Sequence, residues 1–225
     1  NPVSEFTMGI ILYLSKQFIG CEKFKKSGNW IQWELAPKTI QLKDKIVGII
    51  GFGNIGKAIA KKAKAFDMKV IATRRLQKKV ERKKIVDELI PLSDIDYLLR
   101  NSDYLVIACP LTPLTKEMIG KNELAKMKSS AFIINIARGA IIDEVALIQA
   151  LQNQEIAGAG LDVFSREPIK KNNLLLKLDN VFLSPHISGN FQGYQKDVML
   201  QFAQNLNRFI TNKNLKNRVC KKRLY

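Results

Sequence analysis

The stretch Lys45–Phe66, KIVGIIGFGNIGKAIAKKAKAF, constrains this chain more than any other. An uncharged apolar run ends at Gly51. Gly51, Gly53 and Gly56 then stand at G-x-G-x-x-G spacing, and a helical pattern follows without a break. A strand, a tight turn and a phosphate-facing helix have this form in one dimension. The first glycine lets the chain turn sharply, the second lets a pyrophosphate approach the backbone, and the third lets helix and strand pack closely. The free N–H groups and dipole of the helix start then favour an anion. A plain glycine turn in an α/β domain is the bland alternative, but both flanks of the motif favour nucleotide binding.

From Ile46 onward strand and helix patterns alternate. Strands are expected at 46–51, 69–73, 104–109, 131–136, 156–162 and 181–184, and helices at 54–66, 94–100, 122–127 and 143–153, the last capped by Asp143. The uncharged strands at 104–109 and 131–136 suit a sheet buried on both faces. The alternation predicts an α/β fold, a doubly wound parallel sheet covered by helices. Ahead of it, Phe6, Ile10, Leu14 and Phe18 recur every four residues and predict a helix over 5–18. Residues 23–45, with two tryptophans and Pro37, read as an irregular linker, and 74–84 as a basic loop. Phe191, Tyr194, Val198, Phe202, Leu206 and Ile210 mark a long amphipathic helix near the end. The expected divisions are 1–40, a linking helix and linker; 41–187, the nucleotide-binding domain; and 188–225, a returning helix with a basic tail.

The net charge of +17 is concentrated. Arg74–Lys84 carries seven basic residues and one acid, and Lys213–Tyr225 six basic residues and no acid. No nucleic-acid motif accompanies this charge, so phosphorylated small molecules or a solvated lysine-rich face are favoured over nucleic acid. No apolar run is long enough for a membrane span, and nothing at the front reads as a signal peptide. Cys21, Cys109 and Cys220 lie far apart without a C-x-x-C pair, which suggests neither a disulfide framework nor a metal site. A cytoplasmic chain is expected.

The end of the second strand selects among nucleotides. There a carboxylate would hold a ribose 2′-OH; this chain has Ala72-Thr73-Arg74-Arg75. Arg74, with Arg75, Lys78 and Lys79 behind it, can bind a 2′-phosphate through charge-assisted bonds. NADP(H) is therefore favoured, with NAD(H) possible through its other contacts. The sole histidine, His186, follows a strand, as do Glu167, Arg138 and Asp162, so four polar groups gather at the carboxyl edge of the sheet. Hydride transfer to a 2-keto acid needs such a set. Histidine supplies the proton, a carboxylate orients and charges it, and arginine holds the substrate carboxylate and polarises its carbonyl. Taken singly, each of these residues is also explained by a structural or surface role.

GFGNIG, ACPLTPLT, NIARGAIID, LDVFSREP and SPHISGN, in that order, resemble the D-isomer-specific 2-hydroxyacid dehydrogenases over most of the chain. Within the family the chain looks most like the phosphoglycerate dehydrogenase and glyoxylate/hydroxypyruvate reductase branches. The resemblance implies a Rossmann-type domain in which Arg138 binds substrate, Glu167 supports the histidine and His186 donates the proton. It implies that Asn54 and Ile55 present N–H groups to the pyrophosphate. Cys109, Pro110 and Thr115 would line the cleft, Ile136 and Ala137 would touch the nicotinamide half, and Asp162 would bond its carboxamide. Arg74 departs from the family pattern. The family also carries a substrate domain ahead of the position where this chain starts, so the flanking helices read as parts of an incomplete substrate domain, with apolar faces that lack their usual partner. A homodimer follows from the same resemblance. Two other readings stay open: a truncated, inactive NAD(P)-binding module, and a corepressor-like basic protein.

Overall fold

Uncharged β-branched runs pair here as parallel strands, because only a sheet covered on both faces can bury them. In the computed structural model, which describes residues 2–220, β1 (Ile46–Ile50) lies between β2 (Lys69–Arg74) and β5 (Tyr104–Ile107), parallel to both. Outward from β5 come β6 (Phe132–Asn135), β7 (Gly158–Leu161) and β8 (Val181–Leu183), all parallel. Outward from β2 come β4 (Val86–Pro91), parallel, and β3 (Glu81–Lys83), antiparallel at the edge. The order is β3-β4-β2-β1-β5-β6-β7-β8. This is the expected doubly wound α/β fold, with one antiparallel edge strand added.

Alternation along the strands divides the core into two layers. Val47 and Ile49 of β1 and Tyr104 and Val106 of β5 face the side covered by α4 (Asn54–Ala65) and α1 (Pro2–Ser15). Ile50, Leu105 and Ile107 face the side covered by α5 (Ile95–Asn101), α6 (Lys121–Leu124) and α7 (Glu144–Gln152). Asp143 caps α7 as its sequence position implied, accepting the N–H groups of Val145 and Ala146 through Oδ1. Residues 3–188 form one unit. The described chain from Gly189 onward forms a second, built on α8 (Tyr194–Ile210). Residues 221–225 of the basic tail lie outside the described residues. Among the described residues no helix is long and apolar enough to cross a membrane.

Four expectations need correction. The first helix stops at Ser15, where Gln17 turns left-handed at φ 56°, and a second helix, α2 (Phe18–Ser27), starts at once. The four-residue apolar spacing carries through Phe18, but Phe18 is exposed while Ile10, Ile11 and Leu14 are buried. The segment 23–45 is not wholly irregular: it holds the end of α2 and a short α3 (Gln32–Leu35). The basic loop 74–84 contains β3, and β4 follows it where no strand was expected. Asp87 and Glu88 hid β4 in the sequence, yet Asp87 lies at the sheet margin, where its carboxylate accepts the Val70 N–H at 2.7 Å and pairs with Lys64.

The apolar face of α1 was expected to lack its partner. It has one: Met8, Ile10, Ile11 and Leu14 join the same core layer as Val47 and Ile134, and the Phe6 ring meets Phe182 at 6.2 Å. Ile11 is wholly buried. Ile11→Ala is expected to lower unfolding stability by about 2–5 kcal/mol, measured by urea denaturation. A loss below about 1 kcal/mol would show that α1 is not part of this core.

Candidate active site

The parallel ladder brings six strand ends to one edge, and the candidate nucleotide and catalytic residues follow those ends. Gly51–Ile55 follow β1, Arg74 ends β2, Cys109–Thr115 follow β5, Ile136–Arg138 follow β6, Asp162–Glu167 follow β7 and His186 follows β8. Crossovers to opposite sides begin where β1 lies between β2 and β5, and open α/β sheets bind ligands at such a switch point.

The three glycines of the turn meet three different constraints. Gly51 has φ 105°, and a Cβ there would lie 2.8 Å from the Ala108 carbonyl. A Cβ on Gly56 would lie 2.2 Å from the Gly51 oxygen. Around Gly53 nothing lies within 4 Å of that position, so the backbone is open to a close-approaching group. Gly53, Asn54 and Ile55 are exposed, and no side chain caps α4. The Gly51 and Phe52 N–H groups bond the Thr73 oxygen at 3.2 and 3.0 Å, which fixes the turn beside exposed Arg74. These features suit a dinucleotide: room at Gly53, unspent N–H donors, and positive charge at the far end.

Other cleft residues divide by exposure. Cys109 is buried, and burial pushes its thiol up to about 11, so it presents a neutral surface. Thr115 Oγ1 accepts the Thr112 N–H and donates to the Pro110 oxygen, closing the loop after β5. Ile136 is buried in the core layer, and Ala137 is half-buried.

His186 and Glu167 meet directly, Nδ1 to Oε2 at 2.7 Å. Glu167 Oε1 also accepts the Phe164 N–H at 3.0 Å. Burial works to raise the Glu167 carboxyl. The bonds from His186 and Phe164 and the charges of His186 and Arg138 outweigh it and hold the carboxyl below the usual glutamate range. Arg138 is exposed and donates one N–H to the Ala137 oxygen at 2.6 Å. Asn135, at the end of an otherwise apolar strand, shapes this turn: its Nδ2 donates to the Arg138 oxygen and its Oδ1 accepts the Ala137 N–H. A single polar residue closing the run FIIN was the signal for it.

The resemblance implies a cofactor contact for Asp162; within the chain its side chain also serves the histidine loop. It is fully buried. Oδ1 accepts the Ser184 hydroxyl at 2.7 Å and the Ile187 N–H at 2.8 Å, and Oδ2 accepts the Ser188 N–H at 3.0 Å. These bonds bracket His186, which sits left-handed at φ 54°. Asp162 therefore anchors the histidine loop from beneath. Nothing in the sequence marked Ser184 as its partner. Among the described residues no cluster of three or more His, Cys, Asp or Glu is placed to hold a metal.

Because the folded-state pKa of Glu167 is depressed, its contribution to stability is complete above the ordinary glutamate value of 4.5 and is lost as pH falls through the folded-state value. Melting temperatures of the chain and of Glu167→Gln should therefore differ most near neutral pH and converge in acid. A difference independent of pH would contradict the paired carboxylate.

Residues 8–188 match the D-isomer specific 2-hydroxyacid dehydrogenase, NAD binding domain. The chain is 39% identical over 211 residues to a glyoxylate reductase of Thermococcus gammatolerans, covering 92% of this chain and 62% of that protein. It is 41% identical over 193 residues to one of Thermofilum pendens, covering 84% of this chain and 56% of that protein. The chain thus spans less than two thirds of the length of these relatives. An NADPH-dependent glyoxylate/hydroxypyruvate reductase of Sinorhizobium meliloti, solved with NADP and sulfate, superposes at a TM-score of 0.88 with 27% identity, covering 100% of this chain and 69% of that one. With the glycine turn, the strand-end triad and these matches in agreement, the chain belongs to the D-isomer specific 2-hydroxyacid dehydrogenase family, of which it contains the NAD-binding domain.

Proposed function

We propose that this chain carries the nicotinamide-binding part of an NADP(H)-dependent reductase that interconverts small 2-keto acids and D-2-hydroxy acids, with glyoxylate in its substrate class. The observation that carries this reading is the 2.7 Å His186–Glu167 pair, with the Arg138 charge acting on it, on the same sheet edge as an open glycine turn. Relatives named glyoxylate reductase and an NADP-bound structural neighbour support it.

In this reading Gly51, Gly53, Asn54, Ile55 and Gly56 hold the pyrophosphate, and Arg74 and Arg75 face the 2′-phosphate. Cys109, Pro110, Thr115, Ile136 and Ala137 line the cleft for the rest of the cofactor. The bound nicotinamide supplies or accepts the hydride. Arg138 keeps donors beyond its single bond to Ala137 and binds the substrate carboxylate in a fork. His186, held at Nδ1 by Glu167, delivers the proton to the substrate oxygen from Nε2, and takes it back in the reverse direction. Glu167 fixes the ring and favours the charged imidazole. Asp162 keeps the loop in register. The intact triad favours a catalytic chain over a binding-only module. Within the same reading the protein works in the cytoplasm, where the unpaired thiols of Cys21, Cys109 and Cys220 are at home. It works as a homodimer, supported by exposed Trp30 and Trp33 near α3.

Turnover is read as loss of reduced-cofactor absorbance when the polypeptide of the complete reading frame is mixed with NADPH and glyoxylate or hydroxypyruvate. His186→Ala is expected to lower kcat by roughly 10²–10⁴-fold. Tight NADPH binding with no turnover of any 2-keto acid would refute the reading. For the cofactor, Arg74→Asp is expected to weaken NADPH at least about tenfold, some 1.4 kcal/mol, and NADH much less. Equal losses would contradict the 2′-phosphate role.

A further inference from the structure

The His186–Glu167 pair is placed only as well as the loop that carries Glu167. From Asp162 to Asn180 the chain runs between β7 and β8 with no α-helix or strand. A segment of that kind shifts unless it is tied down. Glu167 makes a local tie through the Phe164 N–H. The next residue, Ser165, gives both its N–H, at 3.1 Å, and its hydroxyl, at 2.5 Å, to Oε2 of Glu144. Oε1 of the same carboxylate accepts Nδ2 of Asn173 at 2.8 Å. Asn173 in turn caps the short 3-10 turn Leu174–Lys177 through the Leu175 N–H, and the Leu175 side chain is buried. One side chain thus grips the loop on both sides of Glu167.

Glu144 stands six residues after Arg138, on the helix that the Arg138 turn leads into. Arg138 leads into the 3-10 turn Gly139–Ile141, and Asp143 then caps α7, whose first residue is Glu144. The two loops touch at the backbone: a Cβ on Gly139 would lie 1.8 Å from the Phe164 carbonyl carbon. Only glycine allows that approach. The first turn of a helix also favours a negative side chain, and bonds to an ionised carboxylate are stronger than neutral ones. The seam between Arg138 and Glu167 is therefore closed by a backbone contact at Gly139 and by three hydrogen bonds to Glu144.

We propose that Glu144 is a positioning residue that locks the Glu167 loop against the Arg138 turn and so aligns the Glu167–His186 pair with the substrate-binding arginine. The proposal rests on the catalytic reading above. Glu144 acts through Ser165 and Asn173, on which its carboxylate is spent.

The sole histidine of the chain makes the test direct. The Nδ1 proton of His186, bonded to Glu167, should give a single downfield imidazole resonance that Glu167→Gln abolishes. Glu144→Ala is expected to broaden it or move it upfield, whereas Lys126→Ala, which breaks the remote pair with Asp96, leaves it in place. In the polypeptide of the complete reading frame, Glu144→Ala should lower kcat by roughly 10- to 100-fold while the NADPH dissociation constant stays within about twofold. Glu144→Gln, whose amide oxygen still accepts from Ser165, should recover part of the loss. If Glu144→Ala does not fold, Ser165→Ala removes one donor and is expected to shift the resonance and kcat in the same direction. An unchanged resonance and unchanged kcat in the folded variants would overturn the proposal. If no 2-keto acid is turned over at all, the catalytic reading fails, and the imidazole resonance still decides whether Glu144 holds the pair.

Discussion

A parallel strand leaves no face for water, and the ladder from β4 to β8 is built under that limit. Its strands are short and largely free of charge within, and helices cover both sides. Apart from Asp87 and Glu88 of β4, charge then gathers where the strands end. Parallel pairing puts those ends at one edge, so the groups able to bind an anion, a carboxylate or a proton collect there without any one loop having to reach far. The site follows from burial: the same rule that clears the sheet of charge gathers the charge at its margin.

Holding that margin rigid requires specific bonds. His186 sits in a left-handed conformation, which costs a non-glycine residue about 1–3 kcal/mol. Three hydrogen bonds reach buried Asp162 from the residues around it and hold the turn in that conformation. On the other side Glu144 ties down the loop of Glu167. The His186–Glu167 pair is thus held between two further carboxylates, Asp162 under the histidine loop and Glu144 on the glutamate loop. That arrangement gives the stiffness expected where reacting groups must meet within a fraction of an ångström.

Much of this was legible in one dimension because it depends on local spacing. GFGNIG announces itself, since each glycine answers a constraint within a few residues of it. His186, Glu167 and Arg138 were visible as polar residues just past apolar runs. What the sequence hid depends on distant partners. β4 carries Asp87 and Glu88, which look wrong for a strand until Lys64 and the Val70 N–H are seen beside Asp87. The periodicity of α1 ran one turn too far because Phe18 continues the spacing after Gln17 has broken the helix. Asp162 offered a carboxylate at a strand end, but its partners come from the loop after β8, and Glu144 reads as an ordinary first-turn acid until Ser165 and Asn173 fold onto it.

In the proposed reaction a nicotinamide bound at this edge gives its hydride to a 2-keto acid while His186 supplies the proton. The most direct measurement follows the label. The polypeptide of the complete reading frame is incubated with NADPH deuterated at C4 of the nicotinamide and with hydroxypyruvate, and the product is read by mass spectrometry and chiral chromatography. The expected result is a D-2-hydroxy acid with deuterium at C2 from a label on one face of the nicotinamide only. A hydroxy acid without deuterium, or of mixed configuration, would contradict the account.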